Sequence, residues 1–362
     1  MNNRQILAVF AAVASLVTGI LAVQIIWFPF ASNESPVTTS DVPPPPPQQH
    51  ELPGFIQKLS GPFTHKNLTF YLVHGADSLK GKTPLTLEEA MERRVVVVHE
   101  TGDVNELSIE NVSRSDEVFV QAGDIVKGGQ QDRMLGVDLI VPAHSGRIPM
   151  DSFCVESERW VARGAESRNE FNSSAEYAPS KELKMAAKQS KSQGEVWDKV
   201  SESQEKLSAA TNSNTASNVS PSSLQLTLEN HRVRSDAGDY SKFLSDIVDY
   251  KSDVIGIVMV INGKINSVDT YGSTALFVKL WPKLLKAASI EAVAESSDKR
   301  ASQSTVSTDD IAAFLDTAER SPVTEERTVT DRIRLVTRRS ESSVFLTSLD
   351  RDTVLHRNYL AK

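Results

Sequence analysis

Cysteine is nearly absent from this chain: Cys154 is the only one in 362 residues. A disulfide framework and a cysteine-rich zinc site are thereby excluded. Basic clusters are missing too. Lys and Arg number 39 against 47 Asp and Glu, a formal charge of −8. No segment concentrates enough positive charge to follow a phosphate backbone, so no nucleic-acid partner is expected. The seven histidines are scattered, without an HxxxH or HExxH pair. Metal-ligand spacing is therefore lacking, and no metal or other cofactor is expected. A GxSxG nucleophile elbow is also missing. His74-Gly75 to Gly81-Lys82-Thr83 resembles a phosphate loop, but five residues separate its glycines where the motif needs four. Pro84 then interrupts the helix that should follow.

The composition that remains is that of a folding chain. Hydrophobic residues make up 40% and charged residues 24%, enough apolar side chain for a sizeable core. Ile6 to Phe28 are 23 consecutive uncharged positions, about 34 Å as a helix at 1.5 Å per residue, enough to cross a bilayer core of about 30 Å. The run ends in bulky Ile25, Ile26, Trp27 and Phe28 rather than in small residues, and no cysteine follows it. It reads as an uncleaved signal-anchor over 1–28, not a cleaved signal peptide or lipid-anchor signal. Arg4 precedes the span, and the next positive charge is Lys58. The positive-inside rule places the N-terminus in the cytoplasm and the main domain outside, in the periplasm of a bacterial cell, as a single-pass protein of the cytoplasmic membrane. Residues 29–54 hold eight of the 16 prolines, including Pro43 to Pro47. This stretch reads as a polyproline II tether rather than a docking motif.

From residue 55 to 362 one large α+β domain is expected, of mainly antiparallel strands with a helical middle section. Leu68, Phe70 and Leu72 alternate with more polar neighbours as a half-buried strand. Thr86 to Arg94 opens with an N-cap and acidic residues and reads as a short helix. Further short strands are expected at 95–98, 106–109, 117–120, 134–141 and 147–155. From about 165 to 230 the composition turns to Ser, Asn, Lys, Gln and Ala. This is expected to be a polar helical excursion, with a flexible loop over Thr211–Ser223. Tyr240, Phe243, Leu244, Ile247 and Val248 mark an amphipathic helix. Val254 to Ile261, apolar except for Gly256, reads as a central strand buried on both faces. A helical stripe runs from Phe277 to Ala292, with Pro282 expected to kink it or to start it. Ile333 to Leu335, Val344 to Thr347 and Thr353 to Tyr359 predict a closing meander.

Two segments carry most of the chemistry: Gly128-Gly129-Gln130-Gln131-Asp132-Arg133, and Cys154 to Trp160. The glycines permit a tight turn. Gln131 and Asp132 supply polar groups, Arg133 a planar fork for carboxylate or phosphate, and Glu156 and Arg159 a second charged pair. One reading is a buried network in which Arg133 pairs with Glu156 and stacks on Trp160. The other is a polar pocket for an anionic small molecule. Cys154, flanked by Phe153 and Val155, is expected to be a core residue rather than a nucleophile.

These segments resemble the bacterial ARG and Rhodanese-Phosphatase-superfamily-associated protein domain family, a former domain of unknown function. Thr86 to Ala90, Gly128 to Arg133, Cys154 to Trp160 and Gln193 to Trp197 follow its motifs in order. Ile255 to Lys286 resembles its hairpin and Lys-Leu-Leu helix, so the resemblance spans Phe55 to Ala294. It implies an association with ADP-ribose-related and phosphatase-like proteins and assigns no activity. Gln130, Asp132 and Glu158 depart from the family's Lys, Asn and Gly, which would weaken any anion site. The leading expectation is a membrane-tethered extracytoplasmic binding or interaction domain, with an anionic small molecule or an envelope protein as partner. The alternatives are an enzyme acting on a nucleotide-derived or phosphorylated ligand, and a structural envelope protein. The enzyme reading requires Arg133, Glu156 and Arg159 to converge on an open pocket. The structural reading requires them buried and mutually satisfied.

Overall fold

The computed structural model describes residues 51–362 apart from 158, 160, 164, 165 and 298–304. The expected anchor over 1–28 and the tether up to residue 50 lie outside the described residues. Among the described residues no helix is long and apolar enough to cross a membrane.

The chain begins with β1 (Ile56–His65), β2 (Leu68–Gly75), β3 (Leu85–Thr86) and α1 (Leu87–Glu92). Short strands follow: β4 (Val96–Glu100), β5 (Glu106–Asn111), β6 (Val118–Val120), β7 (Asp124–Gly128), β8 (Arg133–Leu135), β9 (Leu139–Val141), β10 (Ile148–Cys154) and β11 (Phe171–Tyr177). The helical middle comprises α2 (Lys181–Met185), a π-helical turn (Ala186–Ser190), α3 (Gln193–Ala210), α4 (Leu224–Leu228) and α5 (His231–Leu244). Then come β12 (Val254–Ile261), β13 (Lys264–Tyr271), α6 (Thr274–Ala294), α7 (Thr308–Arg320), β14 (Val323–Thr328), β15 (Ile333–Arg339), β16 (Ser343–Asp350) and β17 (Thr353–Ala361).

Eight strands form an antiparallel sheet in the order β1-β2-β12-β13-β17-β16-β15-β14. β12, an interior strand third in that order, is buried at every residue, as its apolar run requires. Strand alternation divides the centre between two cores. Leu68, Phe70, Leu72, Ile257 and Met259 join the larger core, with Leu276, Phe277 and Trp281 of α6. Tyr71, Val73, Ile255, Val258 and Val260 point the other way, onto Ile311, Leu315 and Ala318 of α7. β2 is thus covered on both faces, not half-buried as its alternation suggested, because α7 returns over the second face. The closing meander is present as β15-β16-β17, with β14 added at its edge.

A second sheet, β11-β7-β8-β10-β5-β4, holds the motif strands, and β3-β6-β9 form a small third one. α1 has the capping box its Thr86 and Glu89 encode: Glu89 N donates to Thr86 Oγ1 (3.2 Å), and Thr86 N donates to Glu89 Oε2 (2.9 Å). The expected strand over 134–141 is instead β8 and β9, which belong to different sheets. α6 runs through Pro282, neither starting nor stopping there. Pro282 and Val278 both lie on the exposed side, so the carbonyl freed by the missing N–H faces water. α5 ends at Leu244 in a 3-10 turn, and Phe243, expected in its apolar stripe, is 62% exposed. It stacks on His65 at 4.2 Å.

The polar middle is not set apart from the core. Tyr177, Ala178, Leu183, Val196, Val200, Leu207, Leu224 and Leu228 all enter the main core. In Thr211–Ser223, expected as a flexible loop, the side chains of Thr211, Thr215, Ser220 and Ser223 are buried.

Candidate functional site

The two motifs meet because β8 and β10 are antiparallel neighbours, with Arg133 opposite Cys154. Val155 N donates to Asp132 O (3.1 Å), extending the contact one residue past the strands. β7 reaches β8 through a turn at Gly128 and Gly129, whose φ angles are +120° and +58°. Asp132 closes that turn by accepting from Gly128 N (3.0 Å). A Cβ on Gly129 would lie 2.5 Å from the Phe171 ring, so the second position demands glycine for both backbone and space.

Asp132 and Glu156 are fully buried, and two guanidinium groups lie between them. Arg163 Nη2 is 2.6 Å from Asp132 Oδ1, and its Nη1 is 3.7 Å from Glu156 Oε1. Arg159 Nη2 is 2.6 Å from Glu156 Oε2 and 3.8 Å from Asp132 Oδ1. That Nη2 directs no hydrogen at an acceptor, so the close approach to Glu156 is ionic rather than a directed hydrogen bond. Hydroxyls complete the carboxylates: Ser223 Oγ donates to Asp132 Oδ2 (3.2 Å) and Ser220 Oγ to Glu156 Oε1. Asp132 N donates to Glu156 Oε2 (3.3 Å), and Gln131 Nε2 donates to Glu156 O (2.8 Å).

Of the residues singled out in the sequence, Gln131, Asp132, Glu156 and Arg159 therefore converge as one network. Arg133 joins it differently from expectation. Its carboxylate partner is Glu100 (3.4 Å), and its Nη1 donates to Gln131 Oε1 (3.2 Å). The expected Arg133–Glu156 pair is corrected to Arg159 and Arg163 against Glu156. Register explains the exchange: Arg133 sits inside the sheet opposite Cys154, whereas Glu156 lies beyond the end of β10. Trp160 lies outside the described residues. Glu100, Arg163, Ser220 and Ser223 were missed by the sequence reading. Ser220 and Ser223 sit in a low-complexity stretch, and Arg163 adjoins the compositional shift; neither context carries a motif signal.

The electrostatics are those of a closed ionic cluster. Burial raises the Asp132 carboxyl above the usual range, against the pull of Arg163, and the Glu156 charge adds to the rise. Burial pushes Glu156 the same way, but Arg159, Ser220 and Arg163 outweigh it and hold the group below its ordinary value. Cys154, buried beside them, has its thiol pushed up to about 11 by desolvation, which removes thiolate character at neutral pH. Within the cluster, buried Glu100 Oε2, Arg133 Nε and Arg159 Nε find no hydrogen-bond partner among the described residues. Such an arrangement can fix loops rigidly.

The sequence profile of the ARG and Rhodanese-Phosphatase-superfamily-associated protein domain matches residues 57–360. The match runs past the Ala294 limit of the visible motifs, through α7 and the strands β14 to β17. No curated protein and no solved structure matches the chain.

Proposed function

The chain belongs to the ARG and Rhodanese-Phosphatase-superfamily-associated protein domain family, and from that premise we propose that it is a membrane-tethered extracytoplasmic binding or interaction domain. In this reading the signature residues latch the fold and do not carry out chemistry. One observation carries the reading: Asp132 and Glu156 are fully buried, and each is matched by guanidinium and hydroxyl groups of the chain itself. A catalytic carboxylate must reach its substrate, and a buried ion cluster is retained where it secures one arrangement of loops. Here it ties the residues after β10 to the Ser220–Ser223 loop and to the β7–β8 turn. The tethered location rests on the uncharged Ile6–Phe28 span and the flanking charges. An envelope protein or an anionic small molecule remains the partner class this reading favours.

A C-terminal alkaline phosphatase fusion tests the location. It should be active in intact bacteria, while a C-terminal cytoplasmic reporter should be silent. The opposite pair of results would reverse the orientation and remove the extracytoplasmic reading.

A further inference from the structure

A serine, a histidine and an aspartate stand in line at one edge of the eight-stranded sheet, outside the signature motifs. β1 is the outermost strand there, β2 lies next to it, and β12 follows. Lys58 is opposite His74, and Ser60 is opposite Leu72. His74 is two positions on from Leu72, so strand alternation puts it on the same face as Ser60, as a diagonal neighbour within side-chain reach. Asp253 immediately precedes β12, where Val254 pairs with His74, and Asp253 O accepts from Gly75 N (2.9 Å). Three adjacent strands thus bring the three side chains together.

Their geometry has a direction. Asp253 Oδ1 is 2.8 Å from His74 Nδ1, and His74 Nε2 is 2.7 Å from Ser60 Oγ. An ionised carboxylate only accepts, so the proton between Asp253 and His74 sits on Nδ1. In the neutral ring Nε2 is then the acceptor, and Ser60 Oγ donates to it. This is the tautomer in which a histidine draws the proton from a serine hydroxyl. The His74 side chain is 5% exposed and the Asp253 side chain 43%, while Ser60 is half-buried. The base is therefore held in place, and the hydroxyl is within reach of solvent. The register of β1 against β2 breaks directly after Ser60, before Phe63. Gly61 has a φ of +124° there, and a Cβ on it would lie 2.9 Å from Phe70 O. Such bulges gather at sheet edges and beside active sites, where they re-aim a side chain. Among the described residues no strand lies beyond β1, so alternate N–H groups along it point outward without a strand partner.

We propose that Ser60 is the nucleophile of an acyl-transfer site, with His74 as its general base and Asp253 as the positioning residue, and that the substrate is a carboxylic ester reaching the open edge of β1. Ser60 Oγ bonds to the carbonyl carbon while its proton passes to His74 Nε2. Outward N–H groups of β1 serve the carbonyl oxygen as it turns anionic. The carbonyl then re-forms, the bond to the alcohol oxygen breaks, and Nε2 returns the proton to the departing alkoxide. Water, deprotonated by the same nitrogen, releases the acyl group from Ser60 as the carboxylic acid. Triads of this kind arise on unrelated folds in different chain orders, so the missing GxSxG elbow does not bear on this one. None of the three residues belongs to the signature motifs, and the proposal stands or falls without the latch.

The test treats the full-length protein with a fluorophosphonate, whose phosphorus takes the place of the carbonyl carbon and whose fluoride leaves as Oγ bonds to it. Peptide mass mapping should find the label on Ser60 of the native protein and not of the urea-unfolded chain. His74→Gln should slow the labelling at least about 100-fold. Asp253→Asn keeps the shape of a part-exposed side chain and should slow it at least about tenfold while the protein stays folded, because the amide no longer fixes the tautomer. p-Nitrophenyl acetate should release nitrophenolate, and prior labelling of Ser60 should abolish that release. A native protein unlabelled at Ser60, or one labelled equally fast in a folded Asp253→Asn variant, would overturn the proposal. Labelling of Ser60 without nitrophenolate release would overturn its ester substrate.

Discussion

Glu156→Gln removes one negative charge from the buried ionic cluster while preserving the side chain's shape. Before the change, Arg159 pairs closely with Glu156 alone, while Arg163 is shared between Asp132 and Glu166. Afterwards Arg163 keeps Asp132 and Glu166, but buried Arg159 loses its partner at 2.6 Å and is left with Asp132 at 3.8 Å. Breaking a buried pair from one side costs about 3–5 kcal/mol. That is a large part of the roughly 5–15 kcal/mol by which a domain is stable. Arg159→Met strands a carboxylate instead and should cost about the same. The double variant removes both members of the pair and strands neither charge, so its cost should fall short of the sum by about 2–3 kcal/mol. Pairing Glu156→Gln with Arg133→Met should give a clearly smaller coupling, because the carboxylate partner of Arg133 is Glu100. Urea melts of residues 55–362, followed by circular dichroism, supply all the values, with midpoints compared at constant slope. Additive changes below about 1 kcal/mol, as found for solvated pairs, would refute the latch. A larger coupling with Arg133 than with Arg159 would refute the pairing described here.

Glu291 is fully enclosed, and burial raises it to about 7 against the pull of Lys184 and the Asn266 hydrogen bond. The folded chain therefore holds a proton there that the unfolded chain releases near 4.5, so stability falls as pH rises through this window and is level above it. Glu291→Gln should remove that slope and stabilise the domain at pH 8 by about 3 kcal/mol at most; parallel profiles of melting midpoint against pH would contradict the assignment. Gly129→Ala forces a Cβ into the Phe171 ring at a left-handed φ and should cost about 2–4 kcal/mol in the same melts, whereas a neutral result would mean that the ring yields freely. Cys154, with its thiol at about 11 and no exposed surface, should resist a thiol-specific dye at pH 8 until urea unfolds the chain. Rapid reaction of the native protein would show that the β8–β10 pair opens.

Much of the architecture was legible because it follows from local pattern. The all-apolar run Val254–Ile261 could only be a strand covered on both faces, and it is. Thr86 and Glu89 encode a capping box within four residues, and the alternation after Ile333 encodes a meander. The order of the motifs also sufficed for the family, which the profile match bears out. Tertiary structure decided the matters that depend on partners distant in sequence. Glu156 is joined by a hydroxyl 64 positions away, and Asp132 by one 91 positions away. Both hydroxyls come from a serine-rich stretch whose composition reads as solvent-exposed. Lys188, Asp269, His356 and Asp138 come from four separate segments and meet only where the two sheets face each other. Periodicity records which face of an element is buried, since apolar burial depends on the residue's own side chain. A buried polar group is tolerated only if a specific partner arrives, and the fold of the whole chain determines that arrival.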